Sequence, residues 1–258
     1  MHSYLYIPVE KEFLLKEKYA GTKTPEYEAD VARLDAGEPL AYVIGFVPFL
    51  DCKIFLDSRP LIPRTETEFW VEVVLGKLKA ESSQLKAIQK PLRFLDLFAG
   101  SGCIGVAVLK HIQNAHVDFG EIDTHHFPTI EKNVRENGIN EARTKIVHTD
   151  VWNGIDASYD YVFANPPYLS ENRTERIEKS VLEHEPREAL FADENGFALI
   201  RKLIEGADAH LTPEGALYIE HEPEHTEILK KYAEECGFRA ETKKDQYGVF
   251  RYSIIRKL

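Results

Sequence analysis

From residue 92 onward, apolar runs of strand length alternate with amphipathic stretches of helix length, and that alternation leaves few folds open. Strand candidates fall at residues 92–98, 116–122, 145–148, 159–164 and 216–220; helix candidates fall between and after them, at 103–111, 127–137, 197–210 and 225–236. Strand–helix alternation builds βαβ units, and those give a largely parallel sheet covered on both faces. The pattern breaks only at the end, where residues 238–244 and 249–256 form two strand candidates joined by a short turn. A parallel sheet finished by an antiparallel hairpin is therefore expected, with ligands in the crevice outside the carboxyl ends of its strands.

Ahead of this region the character differs. Residues 1–38 are rich in Glu, Lys, Ala and Leu, with turn signals at Gly21 and Gly37, and predict a short N-terminal helical region. Residues 39–91 predict a β-hairpin around Asp51-Cys52, a helix with an apolar stripe at Phe69, Val73, Val74 and Leu78, and a polar linker over 80–90. Residues 92–258 are the third unit. At 258 residues with a formal net charge of −11, the chain lacks the basic balance of a protein that grips phosphate backbones, so nucleic acid is not expected as a direct substrate. Three dispersed cysteines, Cys52, Cys103 and Cys236, provide neither a zinc pair nor a disulfide framework. No basic leader with a long apolar core opens the chain, and no apolar run reaches membrane-spanning length. A cytoplasmic monomer is the expectation.

Chemistry gathers at the strand ends. After the first strand, Asp96-Leu97-Phe98-Ala99-Gly100-Ser101-Gly102 opens a helix. Gly100 and Gly102 permit a tight turn and close approach of a ligand to backbone N–H groups. The GxGxxG spacing of a dinucleotide site is absent, as is the Gly-Lys-Ser/Thr of a P-loop. An acid ahead of the glycines suits a zwitterionic amino-acid group better than a pyrophosphate. The second strand ends in Glu121-Ile122-Asp123. Glu121, about 20 residues past the glycine turn, is assigned to ribose hydroxyls; Asp123 is the alternative, or the cap of the next helix. After the third strand Asp150 can meet an adenine amine, with Val151 and Trp152 against the ring. The fourth ends in Asn165-Pro166-Pro167-Tyr168, where two prolines forbid further pairing and fix an amide, a carbonyl and an aromatic ring at the sheet edge.

These features resemble the seven-stranded, Rossmann-like class I methyltransferases that use S-adenosylmethionine (AdoMet), and Asn-Pro-Pro-Tyr is similar to the motif of those acting on a planar nitrogen of an amide or adenine. Four segments narrow the resemblance to the HemK/PrmC family, the peptide-chain release factor glutamine methyltransferases. They are Pro39-Leu40-Ala41-Tyr42 with Leu61-Ile62-Pro63-Arg64-Thr65-Glu66-Thr67-Glu68; the Asp96–Gly105 loop; Asn165–Tyr168; and His184-Glu185-Pro186-Arg187-Glu188-Ala189-Leu190 leading to Asn195-Gly196. Asp245 and Arg251 are a fainter echo. Thr65 stands where the family has proline, Glu220-His221 where a Glu-x-Gly element is common, and the N-terminal helical region is shorter than the family's.

The resemblance implies AdoMet as cofactor, a release factor as partner and its Gly-Gly-Gln glutamine as acceptor. It implies catalysis by Asn165, Pro166 and Tyr168. Cofactor contacts are expected from Asp96, Phe98, Gly100, Gly102, Glu121, Ile122, Asp150, Val151, Trp152 and Asn165, and substrate contacts from Pro167, Tyr168, Glu185, Pro186 and Arg64. No metal is called for, because a sulfonium is already a good leaving group. The rival acceptors are a ribosomal-protein glutamine and a nucleic-acid base, the latter served by Arg173, Arg176, Lys179 and Arg187; a non-catalytic AdoMet-binding scaffold has no use for the Asn165–Tyr168 slot. His221-Glu222-Pro223-Glu224-His225 matches HExxH, but the motif needs a helix; here it directly follows the strand candidate 216–220, and Pro223 interrupts the needed turn.

Overall fold

A computed structural model describes residues 6–84 and 90–258; residues 1–5 of the leader expectation, and residues 85–89 of the linker expected over 80–90, lie outside the described residues. The elements run α1 (Tyr6–Glu17), α2 (Pro25–Asp35), α3 (Leu40–Ile44), β1 (Phe46–Phe49), β2 (Cys52–Phe55), α4 (Thr65–Gln84), β3 (Leu92–Leu97), α5 (Cys103–His111), β4 (Ala115–Glu121), α6 (Phe127–Glu136), β5 (Thr144–His148), β6 (Tyr159–Ala164), α7 (Lys179–His184), α8 (Ala198–His210), β7 (Leu211–Glu220), α9 (Thr226–Glu235), β8 (Phe238–Lys244) and β9 (Phe250–Lys257).

Seven strands form one sheet in the order β5-β4-β3-β6-β7-β9-β8. The first five are parallel, whereas β9 pairs antiparallel with both β7 and β8. The chain moves outward from β3 through β4 to β5, then returns to place β6 on the other side of β3. That reversal opens a crevice at the carboxyl ends of β3 and β6, where ligands bind in open α/β sheets. It sets the glycine loop after β3 beside the Asn165 turn after β6.

Two apolar layers sandwich the sheet. One face packs α4, α5 and α6 together with the hairpin, through Trp70, Phe94, Val106, Phe119 and Ile130; the other packs α8 and α9 through Leu95, Val162, Ile200, Leu203 and Leu229. Trp70 is fully buried. It stacks on Tyr252 (5.5 Å between centroids) and Tyr218 (6.4 Å) and meets Phe163 edge-on, contacts that anchor α4 across the end of the sheet. A separate small cluster, Leu14, Tyr27, Leu34 and Val43, joins α1, α2 and α3. In α2, Thr24 caps the N-terminus by accepting the Tyr27 N–H, with Pro25 following in the first turn.

Three elements depart from expectation. α4 continues to Gln84, so the first part of the linker expected over 80–90 is helix. β7 begins at Leu211 rather than 216, because a register shift opposite Tyr159 and Tyr161 accommodates the Thr212–Gly215 stretch inside the strand; Pro213 is tolerated where pairing is irregular. The short helix α3 was not foreseen; it ends at Gly45, whose φ of 93° closes it.

Candidate active site

Two cavities of about 450 Å³ each open on the crevice, and Leu61, Asn165 and Ala189 line both. The first cavity also takes in Phe98, Gly100, Glu121, Ile122, Asp123 and Pro167, and it adjoins a recess of about 210 Å³ reached by Thr149, Asp150 and Val151. Phe98 and Val151 hold φ of 60° and 55°, a conformation costly for non-glycine residues and concentrated at functional sites. Both lie just beyond strand ends, and both line the recess. Gly100, at φ 53°, donates its N–H to Glu121 Oε2 at 2.7 Å; the Asp123 N–H donates to Glu121 Oε1 at 2.9 Å. Glu121 is thereby held at the bottom of the cavity with lone pairs to spare. Ile122 beside it is 57% exposed, an apolar surface facing the recess that a flat ring would cover.

The lining charges decide what kind of ligand fits. Glu121, Asp123, Glu188 and Asp150 face this space, and among the described residues no lysine or arginine lines it. A diphosphate would meet repulsion from several acids with no compensating cation, whereas a ligand bearing an ammonium or sulfonium would be drawn in.

Across Asn165 lies the second cavity, lined by Pro166, Tyr168, Arg64, Arg176, Glu220 and Arg251 among others. Pro166 and Pro167 are buried, Asn165 half-buried. Asn165 Nδ2 donates to Thr67 Oγ1 at 3.3 Å, and the Tyr168 O–H donates to Glu220 Oε1 at 2.9 Å. Glu220, only 1% exposed, also accepts the Thr67 O–H and the Trp70 indole N–H, each at 2.7 Å on Oε2. Burial pushes its carboxyl above the usual carboxylate range, and these three donors oppose that rise. Burial likewise holds the Tyr168 phenol well above its ordinary value. Behind the turn, Gly196 sits at φ 90° where a Cβ would lie 1.9 Å from the Tyr168 carbonyl oxygen; only glycine fits there.

Four expected site residues line neither cavity: Asp96, Gly102, Trp152 and Glu185. Asp96 is buried beneath the glycine loop and lines neither cavity; its Oδ2 accepts the Gly105 N–H at 2.8 Å. Desolvation, with the Glu121 charge nearby, raises its pKa to about 8 against the pull of that N–H. Trp152 turns away after Val151: its ring stacks on His210 at 4.7 Å and donates to the Lys202 carbonyl at 3.1 Å, over Gly206. Glu185 lines neither cavity. It accepts the Ile62 N–H at 3.0 Å and pairs with Arg64 at 2.7 Å, so it clips the turn that carries Leu61 and Arg64. Gly102, at φ 75°, forms the N-terminus of α5 behind the cavity, and Pro167 and Pro186, expected to meet the substrate, line the first cavity and not the second.

Thr67, Trp70, Leu61 and Glu188 were not singled out by sequence. Thr67, Leu61 and Glu188 stand within quoted motifs, but Trp70 carried no signal. In the HExxH stretch both histidines bond groups of the protein. His221 is buried, with burial lowering its pKa to about 4, and bonds Ser253 and the Glu222 carbonyl; His225 bonds the Asn195 carbonyl. Among the described residues no group of three potential ligands could hold a metal, and no helix is long and apolar enough to cross a membrane.

Residues 80–193 match the family model described as "Methyltransferase small domain". The chain is 32% identical to the release factor glutamine methyltransferase of Lactococcus lactis subsp. lactis (strain IL1403), over 80% of this chain and 72% of that protein. It is 32% identical to the one from Francisella tularensis subsp. tularensis (strain SCHU S4 / Schu 4), over 92% and 78%. In fold it is similar to a ribosomal protein L11 methylase from Lactobacillus delbrueckii subsp. bulgaricus, with a TM-score of 0.53 and 18% identity over 77% of this chain and 82% of that one. With 32% identity over 80–92% of this chain and 72–78% of those relatives, the chain belongs to the release factor glutamine methyltransferase family.

Proposed function

We propose that the protein transfers a methyl group from AdoMet to the side-chain amide nitrogen (N5) of the glutamine in the Gly-Gly-Gln motif of a peptide-chain release factor. The observation that carries this reading is the Asn165–Tyr168 turn, a proline-fixed partition with a cation-suited cavity on one side and a second cavity of similar size on the other. AdoMet, when bound, supplies an electrophilic methyl on a sulfonium leaving group. Glu121 would hold the ribose, Phe98, Ile122, Val151 and Pro167 the adenine faces, and Asp150 the exocyclic amine. The first cavity's excess of acid suits the cofactor's positive charge.

A carboxamide nitrogen is a weak nucleophile because its lone pair is delocalised into the carbonyl. Removing its proton first is unprofitable, so positioning must do the catalysis. Asn165 Oδ1 and the Pro166 carbonyl each accept one amide N–H, which aims the nitrogen at the first cavity. As the nitrogen becomes positive, those two fixed dipoles stabilise it with no reorganisation, and once the methyl has transferred the amide returns to neutrality by releasing one of its two N–H protons to water. Tyr168, its hydroxyl tied to Glu220, walls the slot. Two glycines beside the acceptor let its loop thread into a narrow site. The enzyme would act on its partner in the cytoplasm, as a monomer.

The test is methyl transfer from labelled AdoMet to purified release factor, to the same factor with its Gly-Gly-Gln glutamine changed to alanine, to ribosomal protein and to adenine-containing DNA. Label on the intact release factor alone is the expected result. Label on ribosomal protein or DNA instead would overturn the acceptor while leaving the cofactor side standing.

A further inference from the structure

An asparagine amide has nearly the same shape either way round, yet only its oxygen accepts an N–H. The function proposed above, on which this inference rests, requires Asn165 Oδ1 toward the acceptor and Nδ2 away from it. If the amide were rotated, its NH2 would confront the incoming N–H donor against donor. Something must therefore choose between two orientations of almost equal bulk.

The choice is made along a chain of three hydrogen bonds that starts where Asn165 meets Thr67. Thr67 has one hydroxyl proton, and it goes to Glu220 Oε2 at 2.7 Å. Its oxygen is left as an acceptor, so only a donor can face it; Asn165 Nδ2 does so at 3.3 Å. Trp70 fixes the far end. An indole N–H can only donate, and it points at the same Glu220 Oε2 at 2.7 Å, which marks that oxygen as an acceptor. The polarity of the chain from Asn165 through Thr67 to Glu220 thus has one sense. Thr67 and Glu220 are each 1% exposed and Trp70 is fully buried, so little solvent is at hand to substitute for a missing link. We infer that Thr67, with its hydroxyl oriented by Glu220, is a positioning residue that sets which face of the Asn165 amide meets the acceptor. Thr67 itself lines neither cavity.

The test is a double-mutant cycle. Thr67→Val removes the hydroxyl at constant shape, and Thr67→Ser keeps it; Thr67→Ala replaces the valine variant should that one not fold. In the wild-type background Thr67→Val should lower kcat by about 10–100-fold, with AdoMet affinity unchanged and Thr67→Ser within about threefold of wild type. In an Asn165→Ala background the same change should cost no more than about twofold, because the group it orients is gone. A purely structural role would give equal losses in both backgrounds, and that result, or near-normal turnover of Thr67→Val, overturns the inference. Hydrogen exchange of the Asn165 side-chain amide, identified by its loss in Asn165→Ala, needs no acceptor at all. It should be about tenfold faster in Thr67→Val than in wild type or Thr67→Ser, and equal rates would overturn the inference. Failure of wild type to label release factor would count against the acceptor alone, and the exchange measurement would still decide the role of Thr67.

Discussion

At the scale of single residues, the site separates groups that face ligand from groups that hold those groups in place. Asn165 belongs to the first kind. Asn165→Ala should lower the rate of methyl transfer by roughly 10²–10³, the loss seen when one oriented hydrogen-bonding group is removed from a site that stabilises developing charge. AdoMet affinity should barely change; single-turnover kinetics and equilibrium binding on the same sample check both halves. Asp96 belongs to the second kind, and its burial makes a pH signature. Its folded pKa of about 8 stands far above the ordinary carboxylate value, so between about pH 4 and 8 the folded protein keeps a proton that the unfolded chain releases. That contribution to stability is fully present in acid and is lost as pH rises toward 8. Asp96→Asn cannot ionise and still accepts the Gly105 N–H. Its melting temperature relative to wild type should therefore climb from pH 5 to pH 8. His221, buried neutral with its pKa lowered to about 4, acts in the opposite sense in both proteins, losing stability as pH falls from about 6.5 to 4. It cancels from the difference between them, and a difference that does not vary with pH would remove Asp96 as its source.

At the scale of elements, what could be read from the chain was whatever depends on neighbours in sequence. β6, α5 and β8 fall where the sequence pattern put them, residue for residue: β6, in the middle of the sheet, is an apolar run, whereas α5 and β8 start directly after Gly102 and Gly237. Glu220 could not be read this way. Its partners Thr67 and Trp70 lie 153 and 150 residues earlier, and only the packing of α4 against β7 and β9 brings them together. Asp96 misled for a related reason: an acid before glycines has the composition of a ligand contact, but the backbone there turns its side chain under the loop. For Trp152, the positive φ of Val151 redirects the chain toward α8, and no spacing rule anticipates that. Thr65, which stands where related sequences carry proline, becomes intelligible at the start of α4: the Glu68 N–H bonds the Arg64 carbonyl, which makes Arg64 the cap and Thr65 the first helical residue. Proline is well tolerated there, since its fixed φ is preorganised and its missing N–H has no helical partner. Thr65→Pro should raise the melting temperature by about 1–4 °C through a less disordered unfolded chain, and scanning calorimetry would show it. A loss of stability would mean that the entry to α4 is not proline-compatible.

At the scale of the whole molecule, charge and topology act together. A protein of net charge −11 surrounds its crevice with a field that repels anions, and the acids lining the first cavity concentrate it, while in the second, beyond Asn165, Arg64, Arg176 and Arg251 are balanced by Glu66, Glu178 and Glu220. The polypeptide partition thus divides the crevice electrostatically as well as sterically. The same sheet crevice in other α/β proteins takes dinucleotides whose diphosphates sit on a glycine loop, so ligand class here should be decided by charge rather than by fold. Binding to the native state alone stabilises it by about 2.7 kcal/mol at a hundredfold excess over Kd, worth about 5–10 °C in a domain of this size. AdoMet should produce a shift of that order, and NAD or ATP at the same concentration should produce almost none. Raising salt should shrink the AdoMet shift, since screening weakens the attraction between the acid cluster and a cation. A comparable shift with NAD or ATP would mean that the acids at the strand ends do not select the ligand, and the assignment of Glu121 and Asp150 to the cofactor would fall with it.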